Sequence, residues 1–186
     1  MRAATLALCL CVAACAHQAE LPIEPLTLFT LDGQPKHWQD IVARDQFTVL
    51  IFVSAECQSL AAHTFRLSQL AAQYAPRGIQ FLAVDSEIGT SPSVAAAEAR
   101  AYRLPFPLFI DSGAQLANSF AASYATYTVV VDRKSNVHYR GGLDSDLVDL
   151  HDNAKLYVRD ALDDLLAGRE PRLQQTKTLG CILRKS

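Results

Sequence analysis

The segment Phe47-Thr48-Val49-Leu50-Ile51-Phe52-Val53 constrains the chain most, because seven β-branched, aliphatic and aromatic residues in a row suit a strand buried on both faces. Such a strand sits in the middle of a sheet and needs a layer of structure on each side. The next segment supplies one: Cys57 to Tyr74 carries Leu60, Ala61, Phe65, Leu67, Leu70, Ala71 and Tyr74 at mostly helical spacing, stopped by Pro76 and Gly78. Ile79 to Val84 is a second apolar strand. A strand, a long helix and a strand in succession imply parallel pairing and an α/β architecture.

The remaining pattern extends that frame. Leu26 to Leu31 alternates and ends in Asp32-Gly33, a strand running into a turn, and Trp38, Ile41 and Val42 suggest a short helix. Ser91-Pro92 opens a helix through Arg103, with serine as cap and proline in the first turn. Phe106 to Ile110 is a third strand, and an Ala-rich helix then runs to about Ala122. Tyr127 to Val131 and Val137 to Tyr139 read as a hairpin around a polar loop. A last helix, Asn153 to Ala167, shows one apolar stripe and ends at Gly168; residues 169–186 have no period and read as an arm.

The chain has 186 residues, half of them apolar, with 17 basic against 19 acidic side chains. That suits one globular domain, and the absence of a basic excess gives no footprint for nucleic acid. Eight Gly, eight Pro and no internal period exclude collagen, solenoid and propeller architectures.

Ahead of this domain, Ala3 to Ala14 is an apolar run after Arg2, too short to span a bilayer and of signal-peptide form. It ends in Val12-Ala13-Ala14-Cys15, which resembles the bacterial lipobox, where cleavage leaves a lipidated N-terminal cysteine. The alternative is an ordinary small-residue cleavage nearby or an uncleaved anchor. The lipobox reading divides the chain into a signal peptide (1–14), a tether (15–25), a domain (26–168) and an arm (169–186). It makes Cys15 the lipidation site and the mature protein a lipid-anchored component of the bacterial envelope. Ala16 in the following position leans toward the outer membrane. Cys57 and Cys181 then remain as thiols, candidates in an oxidising compartment for a disulfide or a redox pair.

The order of elements, with a cysteine directly after the central strand, resembles the thioredoxin-like fold, and within it the redoxin branch of alkyl hydroperoxide reductases and thiol-specific antioxidants. The residues that carry the likeness are Phe52-Val53-Ser54-Ala55-Glu56-Cys57, Gly78 to Asp85, Phe106-Pro107-Leu108-Phe109-Ile110-Asp111 and Val129-Val130-Val131-Asp132, with Gly168-Arg169 and Gly180-Cys181 near the end. The resemblance implies a central mixed sheet flanked by helices and a thiol–disulfide or thiol peroxidase chemistry. It also implies a peroxide or protein disulfide as substrate and a separate thiol as reductant.

A thiol at a helix start faces unpaired backbone N–H groups and the positive end of the helix dipole, so Cys57 is the candidate nucleophile. The competing reading is a small core cysteine. Glu56 beside it works against the thiolate. The family likeness gives Ser54, three residues before, a supporting hydrogen bond to thiolate or peroxide, and gives Cys181 the part of resolving thiol; an unpaired tail thiol is the alternative. Three departures stand out. Cys57-Gln58-Ser59-Leu60 lacks the second thiol of a Cys-x-x-Cys turn, Leu50 stands where peroxiredoxins have proline, and Thr126 occupies the usual cis-proline position, where a trans peptide is expected. Arg100, Arg103, Arg133 and Arg140 are expected on the surface rather than at the sulfur. These departures motivate a rival reading, a catalytically degenerate binding or scaffold module.

His63, His138 and His151 show no ligand spacing and are expected as surface residues; no metal and no cofactor are expected. Asp144, Asp146, Asp149 and Asp152 are expected as a solvated acidic face.

Overall fold

All seven residues of the central strand β3 (Phe47–Val53) are buried. In the computed structural model, which describes residues 26–185, this strand lies between a parallel and an antiparallel neighbour. The parallel neighbour is β4 (Ile79–Asp85), in register from Phe47 opposite Ile79 to Val53 opposite Asp85. The antiparallel one is β6 (Thr128–Asp132), itself paired to β7 (Val137–Gly141) as the expected hairpin. Beyond β4 come β5 (Leu108–Ile110), parallel, then β1 (Thr27–Phe29) and β2 (Pro35–His37), both antiparallel. The mixed seven-stranded sheet has the order β2-β1-β5-β4-β3-β6-β7. The leader, the Cys15 lipidation site and the tether lie outside the described residues.

Helices cover the sheet where the apolar patterns require it. α1 (Trp38–Val42) buries Trp38, Ile41 and Val42, with the Trp38 indole donating to Ser135 Oγ at 2.9 Å. α2 (Gln58–Tyr74) packs on β4 through a stripe that includes Leu60, Leu67, Ala71 and Tyr74. α3 (Pro92–Ala101) packs on β5 and is capped by Ser91, whose hydroxyl accepts from the Val94 N–H. α4 (Gln115–Ser119) is short, and α5 (Tyr157–Leu166) lies against β7 with Val158, Ala161, Leu162 and Leu165 inward. Among the described residues no helix is long and apolar enough to cross a membrane.

Several elements differ from the expectation for local reasons. β2 was hidden by its polar sequence Pro-Lys-His; it is an exposed edge strand, where a proline without an N–H is tolerated. β5 begins only after Pro107. α4 is preceded by a 3-10 turn with positive φ at Gly113 and Ala114, which cuts the Ala-rich helix short. The C-terminal helix starts at Tyr157, because residues 151–154 close a turn in which the Ala154 N–H reaches the His151 carbonyl.

Two expectations of a solvated surface are overturned. His63 and Asp144 are both buried, and they bond each other across 81 residues of sequence at 3.0 Å. α2 turns His63 and Arg66 toward the loop after β7, where Arg66 bridges Asp144 at 2.6 Å and Asp146 at 2.9 Å and donates to the His151 carbonyl. The other His63 nitrogen lies 2.7 Å from the Ser59 carbonyl. Both ring nitrogens thus face acceptors, which requires the doubly protonated ring. Burial alone would lower the pKa of His63, but the Asp144 hydrogen bond and charge outweigh it and raise it. Burial likewise opposes the Asp144 charge, and the His63 bond outweighs it to hold that carboxyl below its usual range.

The clamp therefore contributes most between the ordinary carboxylate value of 3.8 and the ordinary imidazole value of 6.5. It weakens as pH falls through the depressed Asp144 value and as pH rises through the elevated His63 value. Asp144→Ala is expected to cost about 3 kcal/mol in urea unfolding at pH 6, by stranding the buried His63 and removing one of the two carboxylates from the partly exposed Arg66. The cost is expected to shrink as pH falls below 3.8 and as it rises above 6.5.

Candidate functional site

The site lies where β3 and β4 end side by side. After Val53 the chain passes through Ser54, Ala55 and Glu56, the last in the left-handed region at φ 61°, and Cys57 then caps α2 from an extended conformation. No side-chain cap bond closes the α2 N-terminus, so its first-turn amides have no capping partner from Cys57. Tyr102, at the C-terminal end of α3, is the nearest anchor. Its hydroxyl accepts the Cys57 N–H at 2.8 Å and lies within bonding distance of the Ser54 and Cys57 carbonyls.

The Cys57 sulfur is bonded to that of Cys181, 124 residues further on, with the Cα atoms 5.8 Å apart. The C-terminal arm reaches this position by adding itself to the segment 123–126. Tyr124 and Ile182 form an antiparallel bridge, the Ala125 N–H donates to the Cys181 carbonyl at 2.8 Å, and the Leu183 N–H donates to Ser123 at 3.0 Å. Thr126, at φ 68°, donates its hydroxyl to the Leu179 carbonyl. The approach is so close that a Cβ at Gly180 would overlap the carbonyl of Ala125, which explains the glycine beside the cysteine. No cis peptide occurs among the described residues, and Thr126 follows a trans bond.

A polar link ties the arm to the loop before Cys57. Ser54 Oγ donates to Glu87 at 2.8 Å, and Glu87 also receives the Arg184 guanidinium at 3.0 Å. The Ile88 N–H donates to the Arg184 carbonyl at 2.7 Å. Burial opposes the charge of Glu87, but the Arg184 and Ser54 bonds outweigh it and hold the carboxyl below its ordinary range. In this oxidised form Cys57 is 1% exposed, whereas Cys181 keeps part of its surface in solvent.

Two more carboxyls lie behind. Asp85, opposite Val53 in the sheet, accepts from the Glu87 N–H and the Thr90 hydroxyl, each at 2.8 Å. Glu98 is buried on α3, and neither of its oxygens has a hydrogen-bond partner among the described residues. Burial first and the Asp85 charge second push the Glu98 pKa to about 8. Since Asp85 already has two donors, Glu98 is the member of the pair that stays protonated at neutral pH. That choice removes one negative charge from the neighbourhood of Tyr102 and Cys57.

Of the residues singled out from the sequence, the structure joins Cys57 and Cys181 and sets Ser54 beside them, with its hydroxyl on Glu87 rather than on a sulfur. Arg100, Arg103 and Arg133 are exposed, and Arg140 holds Gln175 of the arm. Asp85, Glu87, Glu98, Tyr102 and Arg184 were missed. They come from three separate segments, the end of β4, α3 with its C-cap, and the arm, and the one local signal was Arg184, three residues past Cys181. Among the described residues no three potential ligands converge on a metal position.

A mixed sheet whose central strand delivers a cysteine to a helix N-terminus, with a second cysteine brought over it, defines a thioredoxin-like α/β protein. The AhpC/TSA family model matches residues 13–140, and the chain belongs to that family. No curated protein matches it. It is similar over 90% of its length, and over 89% of the other chain, to an uncharacterized conserved protein from Geobacillus kaustophilus, at 28% identity and a TM-score of 0.76. A thioredoxin-like protein from Aeropyrum pernix is 24% identical, covering 65% of this chain and 83% of that one, at 0.54. A secreted Mycobacterium tuberculosis disulfide oxidoreductase is 19% identical over 60% and 78%, at 0.50.

Glu98 makes a prediction about pH. Its folded value lies above its ordinary 4.5, so the folded state holds an extra proton between about pH 4.5 and about 8, and stability falls as pH rises through that window. Glu98→Gln is expected to raise stability by about 1–3 kcal/mol at pH 8 and by almost nothing at pH 4. Thermal unfolding across that range measures it.

Proposed function

We infer that the protein is a thiol redoxin in which Cys57 is the attacking thiolate and Cys181 the resolving thiol. The observation that carries the reading is the disulfide between a helix-capping cysteine and a cysteine on a docked arm. With a peroxide, the Cys57 thiolate takes one oxygen to become the sulfenic acid, and the other oxygen leaves as alcohol or water after gaining a proton. The Cys181 thiol then attacks the sulfenic sulfur, water leaves, and the disulfide forms. With a protein disulfide as substrate, the reduced pair passes two electrons on and ends in the same bond. An external dithiol restores both thiols in either case.

Ser54 is the hydroxyl that can turn to the sulfur once the arm withdraws. Family membership supports either substrate class. The setting we propose is the bacterial envelope, with a lipid on Cys15 as tether. A stable disulfide fits an oxidising compartment, and Cys15→Ser is expected to abolish incorporation of labelled palmitate.

The test treats the reduced domain with one equivalent of hydrogen peroxide or of an unfolded disulfide-bonded protein, followed by alkylation and peptide mass mapping. The wild type is expected to end as the Cys57–Cys181 disulfide, Cys181→Ser as a trapped Cys57 sulfenic acid under peroxide, and Cys57→Ser as unreacted thiol. A Cys57 that ignores both oxidants would instead favour a scaffold, the reading suggested by the missing second thiol at Leu60 and the threonine at position 126.

A further inference from the structure

The hydroxyl of Tyr102 is better supplied with a donor than with an acceptor. It accepts the Cys57 N–H at 2.8 Å, yet its own proton faces only the Ser54 and Cys57 carbonyls, at 3.3 and 3.4 Å. Hydroxyl bonds to oxygen usually fall between about 2.5 and 3.0 Å, so this proton is shared between two weak contacts. Ser54, the other hydroxyl at this turn, gives its proton to the Glu87 carboxylate at 2.8 Å and must break a charge-assisted bond in order to turn. Tyr102 gives up only long, neutral ones.

The backbone is strained on both sides of this contact. Tyr102 closes α3: its N–H meets the Glu98 carbonyl at 2.9 Å, and the Leu104 N–H returns to the Ala99 carbonyl at 3.1 Å. Arg103, directly after it, is left-handed at φ 48° without being glycine, and Glu56, directly before Cys57, is left-handed at φ 61°. Non-glycine residues in that region are sparse and persist where the surrounding structure imposes them. Burial raises the phenol above its ordinary 10.0, so it keeps its proton at neutral pH and remains a donor.

In the disulfide, Cys57 has no charge to attract that proton. Once reduced, its sulfur is attached through Cα and Cβ to the same nitrogen that the phenol oxygen touches, and a change of χ1 brings it round to the hydroxyl. We propose that Tyr102 is a catalytic residue: when the Cys57–Cys181 bond is open, its hydroxyl leaves the two carbonyls and donates to the Cys57 thiolate. This rests on the redox reading above and deepens its first step. The Cys57 thiol releases its proton to water, the phenol keeps its own, and one charge-assisted bond replaces two long neutral contacts. The donor offsets the carboxyls around the sulfur, which are Glu56 in the turn, Asp85 and Glu87 after β4, and Glu98 on α3, with Arg184 as cation on the arm. When the thiolate is consumed, the hydroxyl returns to the carbonyls, the arrangement that accompanies the disulfide.

The experiment follows alkylation of Cys57 by iodoacetamide across the titration of the thiol, read by peptide mass mapping, in the Cys181→Ser protein with and without Tyr102→Phe. Loss of the donor is expected to raise the midpoint by about one pH unit, an alkylation rate about tenfold lower below it, while the plateau at high pH stays the same or rises. A hydroxyl that serves only as an anchor for the Cys57 N–H would leave the midpoint in place, or lower it by freeing that amide for the sulfur, and either result overturns the proposal. A second protein keeps the contact and changes only its acidity: Tyr102→fluorotyrosine, a stronger donor, is expected to lower the midpoint. An unmoved midpoint there overturns the proposal even where the phenylalanine variant does not fold. A Cys57 that no oxidant modifies would sink the redox reading itself, whereas a reactive Cys57 whose midpoint ignores both changes at Tyr102 would sink this proposal alone.

Discussion

The covalent tie between the first residue of α2's cap and the C-terminal arm organises everything around it. It closes a separation of 124 residues, which in the chain-entropy picture stabilises the folded state by roughly 4–5 kcal/mol relative to the reduced chain. It also brings Gly180, Ile182, Leu183 and Arg184 onto a surface they would otherwise have to hold by a few backbone hydrogen bonds and one ion pair. The same bond that completes the fold therefore covers the residue with the reactive environment. On the redox reading proposed above, opening it releases cover and constraint together, so that reactivity at Cys57 and docking of the arm become two views of one equilibrium.

The electrostatics beneath the site are balanced rather than simply favourable. Helix amides assist a thiolate, yet Glu56, Asp85, Glu87 and Glu98 all stand in the vicinity. Arg184 neutralises Glu87, and burial keeps Glu98 protonated, its value pushed to about 8. The arm thus contributes a cation as well as a sulfur. When it withdraws, Glu87 loses both the guanidinium and the backbone N–H of Arg184, which makes the arm an electrostatic part of the site and not merely a lid.

The core of this arrangement was legible because it depends on local pattern. The run from Phe47 to Val53 and the apolar stripe from Leu60 to Tyr74 encode burial directly, and with Ile79 to Val84 they specify parallel strands around a helix. Cys57 could be placed at the turn on that basis alone. What could not be read depends on distant segments meeting. His63 and Asp144 look like ordinary polar residues until α2 faces the loop after β7 and each supplies the other's charge. β2 carries no apolar residue beyond its proline, and its strand exists because β1 offers it an edge. Residues 169–186 show no period because their partners, Arg140 and the segment 123–126, belong to other elements and impose the extended conformation from outside.

The rate at which iodoacetamide alkylates Cys57 at pH 7 in the Cys181→Ser protein, folded and then unfolded in urea, joins access and ionisation in one number. If the helix amides ease the proton from an uncovered sulfur, the folded protein reacts faster than the unfolded chain, whose cysteine has the ordinary pKa of about 8.5. A folded rate below the unfolded one would mean a sulfur still enclosed, or held as neutral thiol by its acidic neighbours, and would contradict the account.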